Sequence, residues 1–152
     1  MSLQTDLIFV LALRSNSAFL GQLPAGDVYN TAIALPDEAA ANADVPYIIV
    51  AYDGLNNQDT TKDDDYEGNT DRVTIGITIA AETRAQLAEL AIACRRTIAN
   101  YFRIHVGDAT TEDYELIPSA IALSAQPVQY DADKPCYWQV LTYQCETDND
   151  LQ

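Results

Sequence analysis

Arg72-Val-Thr-Ile-Gly-Ile-Thr-Ile79 is followed three residues later by Thr83-Arg-Ala-Gln-Leu-Ala-Glu-Leu-Ala-Ile-Ala-Cys94, and the change of period between these stretches decides the fold. In the first, Val73, Ile75, Ile77 and Ile79 alternate with Thr74, Gly76 and Thr78, the pattern of a strand with one face against a core. In the second, Leu87, Leu90, Ala91, Cys94, Ile98 and Phe102 recur at intervals of three and four. That spacing gives an apolar stripe along a helix of about 20 residues, or ~30 Å. The helix has a start signal: Thr83-Arg-Ala-Gln86 is a capping box, in which the Thr hydroxyl accepts the amide of residue 86 and the Gln side chain reaches back. Arg95, Arg96 and Arg103 gather toward the other end, where cations favour the helix dipole. The main helix is therefore expected over about residues 83–103.

Upstream, Pro46-Tyr-Ile-Ile-Val-Ala-Tyr52 is a β-branched and aromatic run bounded by Pro46 and Asp53-Gly54, which reads as a strand covered on both faces. Phe19 to Ala43 carries Gly21, Pro24, Gly26 and Pro36 and reads as loop around a short strand at Val28 to Ala32. An N-terminal helix over about residues 2–14 follows from Leu3, Leu7, Val10 and Leu11, with Arg14 at its C-terminal end. Downstream, Tyr114 to Ile117 and Ala120 to Tyr130 read as strands. Asp131 to Pro135 reads as a turn into a last strand, Cys136 to Thr147. Repeats and linkers are absent, so residues 1–152 read as one domain. The expected architecture is α+β, in the order α-β-β-β-α-β-β, with two helices packed on one face of a largely antiparallel sheet.

Composition bounds the function. A chain of 152 residues with 48% hydrophobic content can bury roughly 70% of the surface its unfolded form exposes, enough for a core without staples. The net charge of −15, from 23 acidic and 8 basic residues, repels a phosphate backbone and argues against a direct grip on nucleic acid. The longest apolar run, Leu7 to Leu13, is far short of the ~20 residues that span a bilayer. Met1 to Asp6 carries no positive charge, so neither a membrane segment nor a secretion signal is expected, and the chain reads as intracellular. Three cysteines without a Cys-x-x-Cys make no disulfide framework. Cys136 and Cys145 stand nine apart in one strand, so alternation sends them to opposite faces, and buried thiols are expected.

The stretch most open to a chemical reading is Asp59 to Asp71, which holds Asp59, Asp63, Asp64, Asp65, Glu67 and Asp71. Set on a calcium-loop template from Asp63, it places Asp65 third, Glu67 fifth and Gly68 sixth, but the twelfth position falls on Thr74, inside the strand. A solvated acidic loop between two strands is the plainer reading; a looser divalent-ion site shared with a partner subunit is the other. His105 is the only histidine, so multi-histidine zinc sites are excluded and any His-paired catalytic diad must use it. It falls at the end of the main helix, while Cys94 lies on the apolar stripe, where a thiol is inert. No phosphate-binding glycine pattern, nucleophile elbow or zinc ribbon appears. The residues therefore nominate no catalytic, metal or cofactor-binding set, and no enzymatic activity is expected. Nine tyrosines suit either a sheet or a protein interface.

The N-terminal helix, Val28-Tyr-Asn, Pro46-Tyr-Ile-Ile-Val, a polar loop, and Asp71-Arg-Val-Thr-Ile-Gly-Ile-Thr-Ile leading into Ala85-Gln-Leu-Ala-Glu-Leu-Ala-Ile-Ala-Cys-Arg-Arg-Thr-Ile together resemble the tail-completion or tail-terminator proteins of long-tailed phages. The resemblance covers about residues 2–147, including Tyr137-Trp-Gln-Val-Leu, and is strongest at residues 71–98. It implies a non-enzymatic protomer that forms a ring, usually of six, capping the tail tube and joining it to the head connector. Its partners would be itself, the major tail tube protein and a head-connector protein, in the cytoplasm of a bacterial host during assembly and then in the virion tail. On that resemblance the acidic loop, with Asp63, Asp64, Asp65, Tyr66 and Glu67, is an expected inter-subunit contact. The reading from a different class is an intracellular module that binds a small ligand or another protein without catalysis.

Overall fold

The computed structural model describes residues 5–30, 44–58, 70–108 and 117–148. Helix α1 (Thr5–Arg14) leads into a single-turn helix α2 (Ser17–Leu20), then strands β1 (Tyr29–Asn30), β2 (Tyr47–Gln58) and β3 (Thr70–Ala81). The long helix α3 (Arg84–His105) follows, and then β4 (Ala120–Ala125), β5 (Gln129–Asp131) and β6 (Cys136–Asp148). The strands form one sheet in the order β1-β2-β3-β6-β4, with β5 also on β6, beside β4. Every pairing is antiparallel except β1 with β2. The α+β class and the largely antiparallel sheet are those read from the alternation and the stripe.

The two long helices lie on one face of the sheet. Val73, Ile75, Ile77 and Ile79 of β3 are all fully buried, as are Ile48 and Val50 of β2, and they meet Leu87, Leu90, Cys94, Ile98 and Phe102 of α3. Phe9 of α1 sits at the centre, its ring 4.8 Å from Phe102 and 5.4 Å from Tyr143. Burial of these aliphatic and aromatic side chains, each contributing about 1.5–3 kcal/mol, holds the helices to the sheet. A smaller cluster on the opposite face joins Tyr47, Ile49, Ala80 and Cys136, with Tyr29, Val45 and Trp138 packed against it. Strand β2 is thus covered on both faces, as its composition predicts. Cys136 lies in the smaller cluster and Cys145 in the main core, on opposite faces as their odd spacing requires.

Four expectations are corrected. The stripe expected on α1 includes Leu11, which is 48% exposed, whereas Thr5, Asp6, Ile8, Phe9, Val10, Ala12 and Leu13 are buried. Because α1 packs against α3 as well as the sheet, it buries more than one stripe. Asp53-Gly54 is not a turn: the register with β3 shifts between Tyr52 and Gly54, so β2 bulges there and runs on to Gln58. Gly54 takes φ 142°, a conformation that side-chain-bearing residues rarely adopt. The strand expected over Ala120 to Tyr130 is two, β4 and β5, interrupted around Pro127, which has no N–H to add to the ladder. Ile117 is outside any strand, and Tyr114 to Leu116 lie outside the described residues, as do residues 2–4 and 31–43. Helix α2 runs into the stretch expected as loop from Phe19; Asn16 caps it, its Oδ1 accepting from the Phe19 N–H at 3.1 Å.

Candidate functional site

The long helix stops short of covering the whole sheet. It packs on β3 and β6, and no described helix packs closely on the outermost strand, β4. An open apolar groove of about 350 Å³ results, floored by Ile98, Phe102, Ala120, Ala122 and Tyr143. Its rim carries Arg95 and Arg103. It extends along β4 past Leu123 and Ser124, again with Arg95 on its wall. Along β4, Ile121 is 56% and Leu123 51% exposed. The register with β6 shifts between Ala122 and Ser124, so β4 bulges at Leu123. Because β4 ends the strand order, one of its sides carries backbone groups that no other strand pairs among the described residues.

Tyr143 connects this groove to the core. Its ring packs on Phe9 and its hydroxyl is buried, facing the Arg95 guanidinium without settling into regular hydrogen-bond geometry. Burial, with the nearby Cys94, pushes its pKa up to about 12, and Arg95 only partly offsets this. Burial likewise pushes the thiols of Cys94 and Cys145 up to about 12, so neither is a nucleophile near neutral pH. The three cysteines are free and buried.

His105 ends α3, its Nδ1 3.0 Å from Asp108 Oδ2 and its ring 4.5 Å from that of Tyr101. The pair is half-exposed and lies outside the groove, where it ties the end of α3 to the turn that follows. The predicted capping box is present with one change of partner. Thr83 accepts from the Gln86 N–H at 3.1 Å, and Gln86 Oε1 accepts from the Glu82 N–H at 3.1 Å, one residue before the cap. Among the described residues no group of three potential metal ligands is found. The acidic loop residues Asp63, Asp64, Asp65, Tyr66 and Glu67 lie outside the described residues. The groove is not legible from the helix alone, where its arginines serve the dipole; the sequence signal for it is apolar Ile121 and Leu123 on a strand at the sheet margin.

No protein-family model matches the chain, and no curated protein matches it in sequence. In three dimensions it is similar to a chain of the virion of a native gene transfer agent particle. The TM-score is 0.58 at 12% identity, over 93% of this chain and 92% of that one. The likeness at that identity is one of fold, and it runs end to end. No described helix is long and apolar enough to cross a membrane.

Proposed function

We propose that this chain is a structural, non-enzymatic subunit of a phage-like tail that forms a ring completing the tail tube and joining it to the head connector. The observation that carries the reading is the end-to-end fold likeness to a virion chain. The resemblance of residues 71–98 to tail-completion proteins agrees with it. The partners on this reading are further copies of the chain, a major tail tube protein and a head-connector protein. Assembly takes place in the bacterial cytoplasm and the product resides in the virion tail. The acidic loop around Asp63, Asp64, Asp65, Tyr66 and Glu67 is proposed as a contact between subunits or rings, where aligned carboxylates demand a basic counterpart. A net charge of −15 also suits a conduit that DNA passes through without being held.

One observation favours the second reading, a small-ligand or protein-binding module. The groove of about 350 Å³ falls within the size range of small-molecule sites. It is open along one side, however, and its described lining is mainly apolar, with Arg95, Arg103, Ser119 and Tyr143 as the polar groups, which fits a contact surface better than an enclosed site. The test is direct. The purified chain, alone and mixed with tail tubes, is examined by mass photometry and electron microscopy. Closed rings, or caps at tube ends, are the expected result. A chain that stays monomeric at high concentration and leaves tube ends bare overturns the ring reading.

A further inference from the structure

The groove beside β4 combines three features that seldom coincide without a partner. Its floor is apolar and open, its outer wall is a sheet edge, and its rim is cationic on a strongly acidic chain. Only 8 residues are basic against 23 acidic, yet Arg95, Arg96 and Arg103 fall within nine positions of one helix. The other described cations are mostly engaged locally. Arg14 pairs with Asp27 at 2.9 Å, Arg72 pairs with Glu146 at 3.1 Å, and Lys134 lies over the Tyr47 ring. Arg95 and Arg103 pair with no carboxylate among the described residues; Arg103 reaches only the neutral amide oxygen of Asn100, at 3.4 Å.

We propose that this groove seats an acidic segment of a second copy of this chain, forming one half of the head-to-tail contact that closes the ring. The inference rests on the ring reading above and deepens it by naming the surface. Copies of a protein at −15 repel one another, so a self-contact must bring its few cations against its neighbour's carboxylates. A head-to-tail ring joins two different patches, which lets one protomer's arginines meet another's acids; a two-fold contact at the groove would set arginine against arginine. The rim arginines would fix register and speed encounter. Val106, Ala122 and Leu123, the exposed apolar residues along the groove, would supply the desolvated centre.

The test compares the full chain with Arg95→Glu/Arg103→Glu and Arg95→Lys/Arg103→Lys by native mass spectrometry across concentration, with circular dichroism as the check on folding. The wild type is expected to assemble, and less tightly as salt rises. The Glu variant is expected to need about tenfold or more protein to assemble, as reversing charge at a complementary contact does, while the Lys variant stays near wild type. Arg103→Glu alone, on an exposed position of α3, serves if the double variant unfolds. Assembly of the Glu variant at wild-type concentration overturns the groove assignment and leaves the ring reading standing. A wild type that never assembles overturns both, and arginine-dependent binding to tail tubes without self-assembly replaces the second copy by the tube protein.

Discussion

The carboxyl group of Asp53 lies over Gly76 in the space that a β-carbon at position 76 would fill. Asp53 is the extra residue of the β2 bulge, opposite the stretch of β3 where Ala51 pairs with Gly76. The bulge and the missing side chain are therefore one device. Gly76→Ala is expected to cost about 1 kcal/mol, the small end of the overpacking range, because the group displaced is the tip of a side chain and not backbone. In an Asp53→Ala background the same change should be neutral or stabilising, since glycine in a strand interior is otherwise unfavourable. A double-mutant cycle by urea denaturation measures the coupling; equal costs in both backgrounds would show that the two residues are independent.

Burial also raises the Asp53 pKa. A carboxyl whose folded pKa exceeds its unfolded value stabilises the fold most when protonated, below the unfolded pKa, and that contribution is lost as pH rises through the folded one. Asp53→Asn should accordingly flatten the stability profile in the acid range just above the ordinary carboxylate value. Thermal melts of the two proteins across that range read the difference. Identical slopes would place the carboxyl in water.

Asp6 and Asn30 hold the N-terminal helix to the short edge strand. Asn30 Nδ2 donates to Asp6 Oδ2 at 3.1 Å, and both side chains are buried. The same amide approaches the Val50 carbonyl at 3.4 Å, tying β1 to β2 through its side chain as well as its backbone. Asp6→Ala removes the acceptor and leaves a buried amide short of one partner, with an expected loss of about 1–3 kcal/mol. Asp6→Asn, which keeps an acceptor oxygen, should lose less. Chemical denaturation ranks the two, and equal losses would point to packing instead of the hydrogen bond.

What could be read from the sequence follows from how many neighbours each element has. Val73 to Ile79 and Leu87 to Phe102 each turn one apolar side to the main core, so a period of two and a stripe at three and four are enough to find them. Helix α1 fails that rule because it is wedged between sheet and α3, and almost any of its apolar residues can be inside. Asp53-Gly54 carries the same local signal for a turn and for a bulge; only the β3 register, a long-range pairing, separates them. The groove is harder still, since Arg95 and Arg103 serve the helix dipole and a partner equally well until the bare β4 strand is placed beside them. Helix α2 is too short to show a period, although Asn16 as its cap was available.

The cap of α3 offers a local test of the element that carries the groove. Thr83 has an extended backbone, and its hydroxyl satisfies the Gln86 N–H. Thr83→Ala is expected to lower stability by about 1 kcal/mol, and Thr83→Asp to restore most of it by accepting the same bond near the positive end of the dipole. Since the cap is more than 15 Å of helix away from Arg103 by the usual rise of about 1.5 Å per residue, assembly should be unaffected at temperatures where the variant is folded.

The buried thiols make an alkaline prediction. Cys94 and Cys145 each have a folded pKa of about 12, raised from 9.0 by burial. Tyr143 is raised from 10.0 to about 12, chiefly by burial. All three must stay protonated in the folded state, whereas the unfolded chain releases its protons at the ordinary values. Their contribution is therefore fully present below about pH 9 and is lost as pH climbs toward 12. The melting temperature should fall through that window, and Cys94→Ala/Cys145→Ala should fall less steeply from a lower starting point, because the cavities cost stability at every pH. Thiol titration gives an independent readout: at pH 8 the folded protein should react slowly and the urea-unfolded protein at once. Rapid labelling of the folded chain would mean that the core opens around β6 far more often than its packing implies.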